Sequence, residues 1–281
     1  MKTRTEFAPE DLVEFEPEAK VGLIATLDPA GRPHVTLISS IRAKTTAELT
    51  WGQFSEGLSK KNVLGNPRAG FLVLTMDKKM WRGKAKWTHL AKRGDDYEMY
   101  NNTPMFRYNA YFGIHTVHYM DLVETFGRES LPLKTIVASS LLTMLTRVGG
   151  GAGAGERILK PWAEGLFNRL DSLKFLARVD ADGFPVIVPL LQCQAPDSRG
   201  LAFSPWAYQR ELAVLTPGEE VAVFGLTMKM EDVLVRGVFR GFTRRRGIKV
   251  GLVDINWVYN SMPPRQGQIY PPLDLRPVEV F

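Results

Sequence analysis

Val21-Gly-Leu-Ile-Ala-Thr-Leu-Asp-Pro-Ala-Gly-Arg-Pro-His-Val-Thr-Leu-Ile38 is the segment from which the rest of the predicted fold follows. Two apolar runs flank Asp28-Pro-Ala-Gly31, a turn cluster in which the glycine can adopt a positive φ. Alternating apolar residues around such a turn are typical of a β-hairpin, so this stretch predicts two antiparallel strands.

The residues that follow extend the hairpin into a small barrel. Glu48-Leu-Thr-Trp51 predicts a third strand, and the segment after it predicts a loop and a short helix that ends at Gly65-Asn-Pro67. Two further strands are predicted over Arg68–Thr75 and Met80–Trp87. An antiparallel barrel is therefore expected between Val21 and Trp87.

The barrel sequence occurs a second time in the chain. The matching landmarks are Asp28, Gly31 and Pro33 with Asp180, Gly183 and Pro185; Leu74-Thr-Met76 with Leu226-Thr-Met228; and Arg82-Gly83 with Arg236-Gly237. All but the last pair are 152 positions apart, and the last pair is 154 apart, which places two extra residues in one turn of the second copy. Landmarks that keep one register indicate a duplication.

The expected fold class is mainly β with helices (α+β): two tandem split β-barrels joined by a helical linker. The expected segments are an N-terminal arm (1–17), the first barrel (18–127) with an insertion (91–112), the linker (128–172), a second, degenerate barrel (173–262) and a proline-rich tail (263–281). The insertion is rich in aromatic residues. It covers a planar ligand or packs between the halves, and the sequence leaves both interpretations open.

Composition sets the outer limits of function. Of the 281 residues 44% are hydrophobic and 23% charged, as in soluble globular proteins. The net charge of +6 favours anionic ligands but is dispersed, so no nucleic-acid partner is expected.

The N-terminus lacks the apolar core of a secretory signal, and the apolar run Leu133–Val148 is too short to span a bilayer. A cytoplasmic protein without a membrane partner is expected. The single cysteine, Cys193, is expected to be a buried, inert thiol.

Several catalytic patterns find no support in the sequence. No Gly-x-Ser-x-Gly elbow occurs, and His115 and His118 would lie on opposite faces of a strand, which disfavours a metal site. The glycine-rich run 149–155 continues with Glu156-Arg157 where a phosphate loop needs Lys-Ser/Thr, so it predicts a flexible connection. If the chain is an enzyme, its chemistry is expected to come from an organic cofactor.

The best candidate site is the turn Ser55-Glu-Gly-Leu-Ser-Lys-Lys-Asn62. It opens a helix whose free N–H groups and dipole favour an anion. Ser59 offers a hydroxyl, and Lys60 and Lys61 offer charge, a combination that suits a terminal phosphate. The alternative, an ordinary helix start with solvated lysines, is favoured on the residues alone.

The order of hairpin, strand, Ser-Lys-Lys-Asn-x-x-x-Asn-Pro, strand and Arg-Gly-Lys-Ala resembles the pyridoxamine 5'-phosphate oxidase-like FMN-binding split-barrel family. The resemblance covers about residues 20–126 and, more weakly, 174–260. It implies that Ser59, Lys60 and Lys61 hold the FMN phosphate. It further implies that Thr36, Ile38 and Ser39 line the flavin and that Trp51 and Gly52 lie near the ribityl chain. The strand that carries Arg82 is implied to pack near the cofactor.

The second copy differs at the phosphate segment. Counting on by 152 from Ser59, Lys60 and Lys61 leads to Glu211, Leu212 and Ala213, which would repel or ignore a phosphate. The family resemblance implies a homodimer, which one chain with two barrels would imitate as an internal pseudo-dimer. A homodimer and a monomeric pseudo-dimer both stay open. At most one FMN site per chain is expected, closed by second-copy residues such as Trp206 and Arg210.

The leading functional hypothesis is an FMN-binding flavoprotein, an oxidoreductase that passes hydride or electrons between a reduced donor and a small-molecule substrate. A deazaflavin is an alternative cofactor. A cofactor-free binding or assembly module and a haem-binding or haem-degrading split barrel are the alternative functions. The sequence identifies no catalytic residue.

Overall fold

A computed structural model describes residues 3–103, 113–147, 156–260 and 267–272. The chain folds into two compact units, of which unit 1 comprises residues 1–131 with 179–187, and unit 2 comprises 132–178 with 188–281. The glycine-rich run 149–155, the end of the aromatic insertion and most of the proline-rich tail lie outside the described residues.

Unit 1 is built around an antiparallel sheet. A 3₁₀ helix (Pro9–Phe15) precedes the sheet, and the elements in chain order are β1 (Lys20–Leu27), β2 (Pro33–Leu37), β3 (Arg42–Ala43), β4 (Glu48–Gln53), α1 (Leu58–Gly65), β5 (Arg68–Thr75), β6 (Lys79–Ala91), α2 (Asp95–Asn102), β7 (Thr116–Thr125) and β8 (Glu129–Ser130). The strand order in the sheet is β2-β1-β5-β6-β7-β4-β3, and β8 is paired to β6. Its core packs Phe7 and Phe15 of the N-terminal arm against Ile24, Phe71 and Trp81 of the strands.

Unit 2 has a second antiparallel sheet. Its elements are α3 (Leu133–Arg147), α4 (Pro161–Asn168), β9 (Leu173–Val179), β10 (Pro185–Pro189), β11 (Gly200–Phe203), α5 (Gln209–Leu212), β12 (Glu220–Leu226), β13 (Asp232–Arg245), β14 (Ile248–Asn260) and β15 (Gly267–Tyr270). The strand order in this sheet is β10-β9-β12-β13-β14-β11, and β15 is paired to β14. The tip of the β9–β10 hairpin belongs to unit 1.

The two sheets have the same topology, which confirms the predicted fold class. Replacing β1, β2, β4, β5, β6 and β7 by β9, β10, β11, β12, β13 and β14 converts one strand order into the other. The hairpin turns also match, because Gly31 and Gly183 have φ of 76° and 80°. In this left-handed region a side chain would be strained, which explains why glycine occurs in both copies.

The two copies differ in the connection that follows their long hairpin strand. Residues 92–115, which include α2, lie between β6 and β7, whereas only Arg246 and Gly247 lie between β13 and β14. Both residues of this short turn have a positive φ (50° and 77°), as in a tight hairpin.

Two segments differ from what their composition suggests. The amphipathic pattern over 157–173 suggests one long helix, but α4 spans only Pro161–Asn168, and Leu173 already begins β9. The prolines of the tail disfavour regular structure, yet Gly267–Tyr270 forms β15 on the edge of β14. Local composition missed both because sheet pairing overrides helix propensity and proline content. Helix α3 matches the predicted run closely, and within the described residues no helix is long and apolar enough to cross a membrane.

Candidate functional site

The start of α1 in unit 1 brings the predicted phosphate residues to one place. Gly57 is the N-cap and provides no capping side chain. Ser59 and Lys60 are buried, with exposed fractions of 1% and 9%, whereas Lys61 is exposed to solvent. The Lys60 side chain folds back over the helix start, since a Cβ atom on Gly57 would lie 3.4 Å from Nζ of Lys60. The two lysines therefore have different environments, and only Lys60 lies at the helix N-terminus in a buried position.

Hydrogen bonds attach this helix to the first hairpin. The hydroxyl groups of Thr36 on β2 and Ser59 on α1 are hydrogen-bonded to each other. The amide Nδ2 of Asn62 donates to Oγ1 of Thr26 on β1 at 3.0 Å. The segment with Ser59 and Lys60 is thus held against β1 and β2, and two of the predicted site residues, Thr36 and Ser59, are in contact.

The charge of Lys60 is poorly compensated. Within the described residues its amine makes no hydrogen bond or ion pair. Burial lowers the pKa of Lys60, and the nearby Glu56 carboxylate opposes this only in part. A buried cation without a partner is costly, and an anion that bound beside it would offset that cost.

A polar network continues from this site into the sheet. Nε1 of Trp87 donates to Nδ1 of His118 at 3.2 Å, and the second ring nitrogen of His118 is 2.7 Å from Oε1 of Gln53. An indole can only donate, so Nδ1 of His118 is the acceptor and Nε2 carries the proton. The Gln53 amide in turn donates to Glu56 at 3.2 Å. This chain of hydrogen bonds connects the Glu56 carboxylate, whose charge acts on Lys60, to the sheet.

Burial and the proximity of Lys60 and His115 lower the pKa of His118 to about 3. The imidazole is therefore neutral at physiological pH, and both of its nitrogens have protein partners. His118 is consequently unsuited to bind haem iron. No group of three or more His, Cys, Asp or Glu residues that could hold a metal ion occurs in the parts of the chain described above.

The residues assigned by resemblance to the ring and the ribityl chain have mixed environments. Thr36 and Ser39 are partly exposed at the end of β2, whereas Ile38 and Trp51 are buried in the core of unit 1. Gly52 exchanges two main-chain hydrogen bonds with Oγ of Ser40 at 2.9 and 3.0 Å. A ligand would reach Ile38, Trp51 or Gly52 only after side chains moved.

Arg82 is engaged elsewhere. Its guanidinium makes a bidentate ion pair with Glu129 at 2.8 and 3.0 Å and lies over the ring of Phe126. The arginine is 2% exposed, so its charge is neutralised inside unit 1. The sequence contained the partner but no pattern that connected Glu129 to Arg82.

Sequence reasoning missed the supporting residues Thr26, Gln53 and Trp87. Their roles depend on the strand register, in which Thr26 is paired with His34 and Trp51 with His118. The spacing of His115 and His118 tests only for a metal site. The pairing of β4 with β7 places His118 beside Trp51, and no residue spacing in the sequence signals this pairing.

The corresponding position in unit 2 differs as predicted. Helix α5 spans only Gln209–Leu212, and Leu212, 152 positions after Lys60, is fully buried in an apolar core. A buried leucine offers neither charge nor a hydrogen bond to a phosphate.

No protein-family model matches this chain, and no curated protein sequence is significantly similar to it. Solved structures with a similar fold include a proposed pyridoxamine 5'-phosphate oxidase from Lactobacillus delbrueckii, with 16% identity and a TM-score of 0.36 over 45% of this chain and 99% of that chain. An FMN-binding protein from Syntrophomonas wolfei has 15% identity and a TM-score of 0.35 over 44% and 84%. A FAD-binding protein from Mesorhizobium loti has 14% identity and a TM-score of 0.30 over 46% and 98%. Each match thus covers less than half of this chain.

Proposed function

We propose that unit 1 binds FMN through its phosphate at the start of α1 and that the chain is a flavin-dependent oxidoreductase. The observation that carries this proposal is the Lys60 amine. The Lys60 residue is only 9% exposed, its amine lies close to Gly57 at the helix N-terminus, and the amine has no ion-pair partner among the described residues. A dianionic phosphate at this point would meet the amine, the Ser59 hydroxyl and the first N–H groups of the helix.

Two features of unit 1 favour a mononucleotide over a free anion. Thr36 and Ser39 lie partly exposed on and just after β2, and Thr36 is hydrogen-bonded to Ser59. A ligand anchored by its phosphate at α1 would therefore extend along the end of β2. The family resemblance implies the same path, with the flavin against Thr36 and Ser39.

One site per chain is proposed, because Leu212 replaces Lys60 in unit 2. When bound, FMN supplies hydride or electron transfer between a reduced donor and a small-molecule substrate. Ser59 and Lys60 anchor the phosphate, and the Lys60 amine balances part of its negative charge. Trp206 and Arg210 of the second copy are proposed to contribute to this FMN site. The proposed assembly is a homodimer or a monomer with an internal pseudo-dimer, and the proposed location is the cytoplasm.

The experiment is an absorbance spectrum of the purified chain before and after FMN is added and excess ligand is removed by desalting. Retention of the flavin bands in wild type and their loss in Lys60→Gln support the proposal. A protein that stays colourless after FMN addition contradicts it and favours the cofactor-free binding module. A Soret band would instead indicate haem. Retention of a deazaflavin but not of FMN would show that the cofactor is a deazaflavin.

A further inference from the structure

Unit 2 contains a cavity of about 340 Å³ beside the start of β11 and the middle of β14. Its volume is in the range of small-molecule sites in proteins. Apolar residues form part of its wall: Pro196 and Leu252 are partly exposed there, and Ile158, Leu201, Val253 and Ile255 are buried. The cavity can therefore take the apolar body of a ligand.

Three arginines line the same cavity: Arg199, Arg240 and Arg245. Arg245 is partly buried and makes no ion pair within the part of the chain that the structure describes. Arg240 pairs with Asp254 at 3.3 Å, but the two side chains are 62% and 61% exposed. An ion pair so open to water contributes little, so Arg240 can turn to another anion at low cost.

The other carboxylate in the wall is held by its own turn. Oδ1 of Asp197 accepts the main-chain N–H groups of Arg199 and Gly200 at 2.7 and 3.1 Å. These bonds fix the loop that enters β11 and partly satisfy the Asp197 charge. With three arginines against two aspartates, the wall has a net positive charge.

The equivalent place in unit 1 is filled. By sheet register, Leu252 opposite Ala202 corresponds to Tyr119 opposite Thr50. The Tyr119 hydroxyl donates to Asp96 of α2 at 2.7 Å, and Lys44 pairs with Asp96 at 2.9 Å. Unit 2 has no counterpart of α2 between β13 and β14, so none of the elements described for the second copy takes the position of α2.

We propose that this cavity is a second ligand site, which binds a small organic anion with a carboxylate or phosphate group on an apolar body. The apolar wall takes the body, and Arg245 with Arg240 binds the anionic group. This site is independent of α1, so its existence does not depend on FMN binding.

The test is isothermal titration calorimetry of the full chain with phenyl phosphate, with benzoate and with phenol, a neutral probe that has the same aromatic ring. Binding of at least one anion in preference to phenol is expected, and the preferred anion identifies the chemical group. Arg245→Gln should weaken this binding about tenfold or more, because a charge-assisted contact is lost.

Arg244→Gln is the matched control, since Arg244 neighbours Arg245 on β13, does not line the cavity and bonds only to the Gly247 carbonyl among the described residues. It should bind like wild type, as should Lys60→Gln. Thermal unfolding verifies that both arginine variants fold. Equal binding of phenol, unchanged affinity in Arg245→Gln, or no binding of either anion at millimolar concentration would overturn the proposal.

Discussion

The rings of Trp51 and His118 lie parallel, with centroids 3.9 Å apart and an angle of 1° between the planes. They are direct partners across β4 and β7, so the sheet register itself creates the stack. Nδ1 of His118 accepts a hydrogen bond from Trp87, and Nε2 donates one to Gln53. These two bonds keep the buried imidazole in one neutral tautomer.

The first prediction concerns acid stability. His118 titrates near 6.5 in the unfolded chain but has a pKa of about 3 in the fold, so the unfolded state binds more protons between these values. The free energy of unfolding should therefore fall as the pH is lowered from 6.5, by up to about 1.4 kcal/mol per pH unit from this residue. Chemical denaturation across this range measures it. His118→Gln should show a shallower slope, and an identical slope in both proteins would contradict the prediction.

Gly83 gives a prediction on stability. A Cβ atom there would lie 1.9 Å from the Glu124 carbonyl oxygen, a main-chain atom that cannot easily move, and Gly237 meets Asp254 in the same way at 2.1 Å. Gly83→Ala should lower the free energy of unfolding by about 1–3 kcal/mol. Gly65→Ala is the control, because nothing lies within 4 Å of that position and its φ is not positive. A loss of similar size in both variants would show that the close approach is not the cause.

Lys174 gives a prediction at alkaline pH. Burial lowers its pKa to about 8, while its amine donates to the carbonyl oxygens of Arg169 and Leu191. Between pH 8 and 10.5 the unfolded chain binds the extra proton, so this residue makes stability rise with pH. The contribution is up to about 3 kcal/mol, at about 1.4 kcal/mol per pKa unit.

Lys174→Met should remove this rise in stability. The measurement is the free energy of unfolding of wild type and Lys174→Met in urea at pH 8 and at pH 10.5. The neighbouring Cys193, whose pKa burial raises to about 12, acts in the opposite direction but is present in both proteins. A difference between wild type and Lys174→Met that does not change with pH would contradict the prediction.

The pH dependence of FMN affinity is a further prediction. Since burial lowers the pKa of Lys60, its amine loses its charge at lower pH than an ordinary lysine with a pKa of 10.5. A phosphate prefers the charged amine, so FMN affinity should fall as the pH rises toward that value. In Lys60→Arg the charge persists, and the fall should disappear. Equal pH profiles for the two proteins would exclude Lys60 as the titrating group.

The sequence predicted the fold well because its signals were local and repeated. Asp28 and Gly31 mark the first hairpin turn, Asp180 and Gly183 mark the second, and both glycines have the positive φ that such turns require. The duplicated landmarks then gave the tandem architecture without any tertiary information. The strand β15 was missed because its formation depends on the partner edge of β14.

The candidate site was only partly predictable. Composition at the helix start identified Ser59 and both lysines, but the rotation of the helix decides that Lys60 is buried while Lys61 is exposed. Long-range partners decide the rest. Arg82 is neutralised by Glu129, and Trp51 is stacked on His118, contacts that no residue spacing reveals.

The most direct test of the phosphate site compares FMN with riboflavin, which lacks the phosphate, in fluorescence titrations of wild type, Lys60→Gln and Lys61→Gln. We expect Lys60→Gln to weaken FMN binding about tenfold or more and to leave riboflavin binding unchanged, because a charge-assisted contact to the phosphate is lost. Lys61→Gln, at the exposed neighbour, should bind both ligands like wild type. Unchanged FMN affinity in Lys60→Gln, or equal losses for FMN and riboflavin, would contradict a phosphate site at the start of α1.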